Sequence, residues 1–111
     1  MKNLRNKVQL IGNLGMDPVI KDFNGNKQAR FSLATNEYYK DTKGERQTDT
    51  QWHNLVAWGK LAETVEKHVT KGKEILIEGR LNTRSYEDAE GHKKYITEII
   101  VNDILFTGTK S

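Results

Sequence analysis

The sequence predicts an all-β domain with one short helix, arranged as a five-stranded Greek-key barrel with long hairpins joining strands two to three and four to five. Three observations lead there. Apolar and polar residues alternate over five separate segments, the period of a strand with one buried face. One stretch between the third and fourth segments changes to the period of a helix. Two long polar spans, one centred on Lys43-Gly44 and one with Asp88-Ala89-Glu90-Gly91 at its tip, separate strands that must run antiparallel. The 111 residues hold no internal repeat, proline-rich linker or low-complexity run, so residues 1–111 are expected to form a single domain.

In the first strand Val8, Leu10 and Gly12 alternate with Lys7, Gln9 and Ile11, and Gly12 and Gly15 are placed to relieve crowding at a bend. Asp17-Pro18 interrupts it as a turn device. A short extended piece over Val19 to Lys21 reaches Asn24-Gly25, a pair that favours the positive φ angles of a tight turn. Ala29, Phe31, Leu33 and Thr35 alternate with Arg30, Ser32 and Ala34 as the second strand. Tyr38 to Thr50 is too polar to bury and is read as a charged hairpin tip centred on Lys43-Gly44. Trp52 to Trp58 is the third strand.

The helix follows, because Leu61, Val65, His68 and Val69 fall on one stripe while Glu63, Glu66 and Lys67 point elsewhere. Lysines near its end suit the helix dipole, and Gly72 is read as its left-handed cap. Glu74 to Ser85 places Ile75, Ile77, Gly79 and Leu81 on one face as the fourth strand, and Tyr95 to Ile104 is the fifth. Tyr86 to His92, with Asp88-Ala89-Glu90-Gly91 at its tip, joins them. A five-stranded barrel of this kind is the oligonucleotide/oligosaccharide-binding (OB) fold, whose ligand face lies on strands two and three and the flanking loops.

Trp52 and Trp58 are six residues apart in the strand that would lie on that face, and in an unbroken strand they point to the same side. Two flat rings beside lysine or arginine are what a protein needs to hold unstacked bases by their faces and phosphates by charge. The competing reading buries both indoles in the core of a small domain. Eighteen lysines and arginines against fifteen acids leave a net charge of +3, a mild basic bias compatible with a polyanionic partner. The absence of cysteine removes a disulfide framework, a thiolate zinc site and a cysteine nucleophile. Met1 to Lys7 leads into only a short apolar patch, so neither a secretory signal nor a membrane span is expected, and the expected location is cytoplasmic.

Four segments together resemble the bacterial single-stranded-DNA-binding proteins. They are Asn6 to Pro18, Phe31 to Asn36, Trp52-His53 through Glu63, and Lys71-Gly72 with Ile77-Glu78-Gly79-Arg80-Leu81, in the family's order and over nearly the whole chain. The resemblance implies an OB barrel that assembles as a homotetramer and sheathes single-stranded DNA, with little sequence preference, in replication, recombination and repair at the nucleoid. The family's stacking aromatics fall on Tyr39, Trp52, Trp58 and Tyr86, and its interface histidine on His53, which a regular strand turns away from the tryptophans. Lys7, Lys60, Lys71 and Arg84, then Arg80 and Lys40, are the cations expected near phosphates. Replicative members continue into a flexible linker and an acidic tail that recruits enzymes. This sequence ends at Thr107-Gly108-Thr109-Lys110-Ser111 and shows no such tail.

An enzyme finds little support. His53, His68 and His92 lack metal-ligand spacing, Gly72-Lys73 lacks the rest of a phosphate loop, and Gly12-Asn13-Leu14-Gly15 is not a dinucleotide fingerprint. No cofactor or metal is expected. Acids at the second hairpin tip, Glu87, Asp88 and Glu90, read as solubility charges. An RNA-binding or scaffolding protein on the same barrel is the nearer rival, because stacking platforms and cations do not separate RNA from DNA.

Overall fold

The computed structural model describes residues 5–107, so the chain end at 108–111 and the amino-terminal residues 1–4 lie outside the described residues. Six strands and one helix follow in the order β1 (Val8–Leu14), β2 (Val19–Phe23), β3 (Asn26–Lys40), β4 (Arg46–Trp58), α1 (Lys60–His68), β5 (Glu74–Glu87) and β6 (Lys93–Phe106). Five of them close a barrel. β1 pairs with β5, β5 with β6, β6 with β4 and β4 with β3, and β3 returns to β1 through Asn13↔Ala34 and Leu14↔Leu33. Only β4 and β6 run parallel, at Leu55↔Ile99 and Val56↔Ile100. The expected five-stranded barrel is therefore present. The short extended piece became the sixth strand, β2, a hairpin on the outer edge of β3.

The alternation that marked the strands also fills the barrel. Leu14, Ala29, Phe31, Leu33, Leu55, Ala57, Ile75, Ile77, Ile99 and Val101 point inward and are buried, and Ala62, Val65 and Val69 close one end from α1. His68, assigned to that stripe, is exposed, and its ring stands edge-on to Phe106 at 6.0 Å. Gly72 does not cap the helix. Val69 leaves the helix in an extended conformation, and Gly72 (φ 87°) belongs to the next turn, closed by the Lys73 N–H on the Thr70 carbonyl. Asn24 (φ 53°) and Gly25 (φ 87°) form the two-residue turn expected of that pair.

The two long hairpins are strands almost to their tips. β3 and β4 stay in register out to Lys40↔Arg46, and β5 and β6 out to Glu87↔Lys93. Both faces of these arms are wet, so no buried face imposed an apolar alternation that the sequence could display. They raise the radius of gyration to 16.1 Å, against roughly 13 Å for a compact domain of about 100 residues. The tips share one construction. Asp41 Oδ1 accepts the N–H groups of Lys43 and Glu45, and Asp88 Oδ1 accepts those of Glu90 and His92, each at 2.9 Å. A glycine at positive φ, Gly44 or Gly91, completes each turn. Asp88 is thus a turn former and not merely a solubility charge.

The Glu45 amide, helped by the Gln47 side chain and the Lys43 amide, holds the Asp41 carboxyl below its ordinary range. A lowered carboxyl contributes its stabilisation above its unfolded-state value and loses it as pH falls through the lowered one. Hydrogen exchange at the Lys43 and Glu45 amides is therefore expected to rise relative to the barrel core as the solution is acidified below the ordinary carboxylate range. Asp41→Ala should give the same local fraying at neutral pH. Unchanged protection in the alanine variant would remove Asp41 from the turn's support.

Candidate nucleic-acid interface

β3 and β4 pair without a break from Gln28↔Trp58 to Lys40↔Arg46. Strand alternation then puts Trp52, Asn54, Val56 and Trp58 on the outer face of β4, with Leu55 and Ala57 facing the core. The two tryptophans share a face as expected, and they are not core residues: Trp52 is 60% exposed and Trp58 38%. Across the pair, Ala34, Ser32, Arg30 and Gln28 stand opposite them in order. An open groove of about 360 Å³ lies over this surface, lined by Met16, Val19, Arg30, Ser32, Asn54 and Ile96 among others.

Each indole has a distinct support. The Phe23 ring packs beside Trp58 at 6.0 Å and 46°, which explains the lower exposure of Trp58. Trp52 lies against Gly15, where an added Cβ would come within 2.4 Å of Cζ3 and 2.9 Å of Cη2 of the ring. Gly15, assigned from the sequence to a bend, also makes room for a side chain from another strand. Gly15→Ala should push the Trp52 ring off its seat, shift its emission and weaken oligonucleotide binding by up to roughly the 1–3 kcal/mol of one stacked base. Stability should change little, because a side chain and not the backbone must give way. An unaltered emission spectrum would show that the ring does not rest there.

On the second arm, Arg80, Asn82, Arg84 and Tyr86 alternate on the outer face of β5, beside Glu98 and Ile100 of β6. Tyr86 is exposed, and Arg84 and Arg30 both reach Glu98. The barrel thus brings Trp52, Trp58, Arg80, Arg84 and Tyr86 to one surface. Lys60 opens α1 two residues after Trp58. Lys40 stands in register with Arg46 at the end of the first arm.

Other expected residues lie apart. Tyr39 falls on the opposite face of the β3–β4 ribbon from Trp52, and its neighbour Tyr38, 65% exposed, takes the tryptophan face with the Arg46 guanidinium 6.0 Å from its ring centre. Lys7 immediately precedes β1, with its Nζ 3.8 Å from Glu78. Lys71 is in the turn after α1, where its N–H donates to Asp17 Oδ1 at 2.8 Å, so Asp17 ties two loops together rather than making a local turn. His53 faces away from the tryptophans and is half-buried, with Nε2 3.0 Å from Thr35 Oγ1.

Sequence reasoning passed over Phe23, Arg30, Tyr38 and Arg46. The parity of their positions was available, but which residue of β3 stands opposite which residue of β4 follows only from pairing. No group of three or more metal-ligating side chains occurs among the described residues. No described helix is long and apolar enough to cross a membrane.

Residues 5–107 match the sequence profile of the Single-strand binding protein family. Single-stranded DNA-binding protein 1 of Chlorobaculum tepidum is 48% identical over 107 residues, covering 95% of this chain. The chain spans 66% of that relative's length, just under two thirds. Among solved structures, a chain of the Plasmodium falciparum SSB complex with ssDNA superposes with a TM-score of 0.85 at 37% identity, covering 97% of this chain and 98% of that one. The barrel, its helix and its two arms lie wholly within the matched residues, and the chain belongs to the Single-strand binding protein family.

Proposed function

We propose that this protein binds single-stranded DNA with little sequence preference and shields exposed strands during replication, recombination and repair, without catalysing a reaction on them. The observation that carries this reading is the exposed pair Trp52 and Trp58 on one continuous outer face with Arg30, Arg80, Arg84 and Tyr86. Rings stack on any base, and guanidinium and ammonium groups meet phosphates whatever the sequence. The first arm adds Tyr38 or Tyr39 with Lys40 and Arg46, and Lys60 and Lys71 extend the cationic surface. The likeness to proteins named for single-stranded DNA binding supports DNA over RNA as the strand.

Competition between single-stranded DNA, RNA and duplex DNA at matched salt is the test. Single-stranded DNA should win, and log affinity should fall with log salt at about −0.7 for each phosphate neutralised. A preference for RNA, or a slope near zero, would reject the proposal.

The protein is further proposed to act as a homo-oligomer, a tetramer as in its family. Residues Val8–Gly12 of β1 pair with β5 on one edge only, since β1 meets β3 only at Asn13 and Leu14. Beside that open edge Ile11, Leu76 and Leu105 stand in register across three strands, with Ile11 51% and Leu105 61% exposed. A second copy of the chain can extend the sheet at β1 and cover this ridge. Lys7, next to the same edge, fits this assembly face better than the strand's path, and His53 is assigned to a subunit contact. A monomeric mass by light scattering at micromolar concentration would remove the assembly. The proposed site of action is the nucleoid, in the cytoplasm.

A further inference from the structure

Glu98 is the only buried carboxylate among the described residues, 3% exposed, and it stands on the outer sheet face where a polyanion is proposed to run. A negative charge there repels phosphate unless something more than neutralises it. Two arginines do so. Arg84 donates from Nε to Glu98 Oε1 at 2.6 Å, and Arg30 donates from Nη1 to Oε2 at 3.2 Å. They reach the carboxylate from different strands, β5 and β3, and their side chains remain 42% and 36% exposed. A guanidinium carries five N–H donors in a planar fork, so each arginine keeps further donors after binding Glu98.

We propose that Arg30 and Arg84, anchored by Glu98, form a fixed binding site for one phosphodiester of the strand, with Glu98 as a positioning residue. The trio carries a net charge of one positive unit, yet its value lies in geometry. Free arginine side chains lose rotamer entropy when they grip a phosphate, and these two are already held. The site rests on the proposed path of the strand over the Trp52 face.

The sign of one substitution separates positioning from simple charge. Glu98→Gln removes a negative charge from the binding surface, so electrostatics alone predicts tighter binding and a steeper salt dependence. Loss of positioning predicts weaker binding, by about three- to tenfold at matched salt, the size expected for losing one well-placed hydrogen-bonding arrangement. The salt slope should also become shallower by about 0.7 as one phosphate contact is lost. Arg84→Lys and Arg30→Lys retain the charge but not the fork, and should weaken binding similarly. Binding is read by fluorescence anisotropy of a labelled thymidine oligonucleotide, with urea melts reporting the fold.

Should Glu98→Gln fail to fold, the two lysine variants decide, since both side chains are partly exposed; wild-type affinity in both overturns the site. A folded Glu98→Gln protein that binds as tightly as wild type, or more tightly, overturns the positioning role. Trp52→Ala measured in parallel distinguishes the two levels. If it weakens binding while Glu98→Gln does not, only the phosphate site falls. If neither weakens it, the strand runs elsewhere and both readings fall.

Discussion

Replacing Trp52 and Trp58 together by alanine is expected to leave a folded barrel that binds single-stranded DNA at least about thirtyfold more weakly. Removing one stacked ring typically costs roughly 1–3 kcal/mol, and tenfold in affinity corresponds to about 1.4 kcal/mol. The rings stand six residues apart on one strand, roughly 20 Å at ordinary strand rise, so each would serve a different base and their losses should nearly add. Folding survives because both are exposed, although Trp58→Ala also gives up its contact with Phe23 and should be the less stable single variant. The chain has only these two tryptophans, so each single variant makes the remaining indole a clean reporter. Binding should quench Trp58 emission in Trp52→Ala, and Trp52 emission in Trp58→Ala. A folded double variant with wild-type affinity, measured by anisotropy of a labelled oligonucleotide, would remove both rings from the site.

Gly12→Ala is expected to have the largest effect on stability. A Cβ at Gly12 would sit 2.1 Å from the carbonyl oxygen of Ala34 and 3.0 Å from its carbon, both backbone atoms of β3. That contact lies at the seam where β3 returns to β1 and the barrel closes. Neither strand can yield alone. β1 is held to β5 along Val8↔Gly79 to Asn13↔Glu74, and β3 to β4 from Gln28↔Trp58 to Lys40↔Arg46. Overpacking at a well-packed site costs about 1–3 kcal/mol and more where backbone must separate, a large share of the roughly 5–15 kcal/mol that keeps a domain folded. The urea midpoint should drop accordingly, and amide protection at Asn13 and Leu14 should be lost first. A midpoint equal to wild type would mean that the seam does not close the barrel. Gly12 and Gly15 thus lie three residues apart with different expected consequences: alanine at the first meets a main chain and should lower stability, whereas at the second it meets an indole and should weaken binding.

Local signals explain most of what was legible. Val8, Leu10, Ile75, Ile77, Leu33 and Leu55 announced their strands because one buried face enforces a period of two. Asn24-Gly25 announced its turn because few residue pairs tolerate two consecutive positive φ angles. The sequence reads Tyr38 to Thr50 as a polar hairpin tip, yet β3 runs to Lys40 and β4 starts at Arg46, since strands wet on both faces need no apolar alternation. The helix ended one turn short of Gly72, where Val69 turns extended to bury its side chain.

From the sequence alone came the barrel class, the family resemblance and the shared face of Trp52 and Trp58, because each depends on residue order and a fixed side-chain period. Pairing between distant segments decided the rest: the placement of Tyr38 on the tryptophan face and Tyr39 on the other, the seating of Trp52 on Gly15, and the meeting of Arg30 and Arg84 at Glu98. Those contacts join residues 14 to 68 positions apart, through backbone hydrogen bonds whose register no single segment encodes.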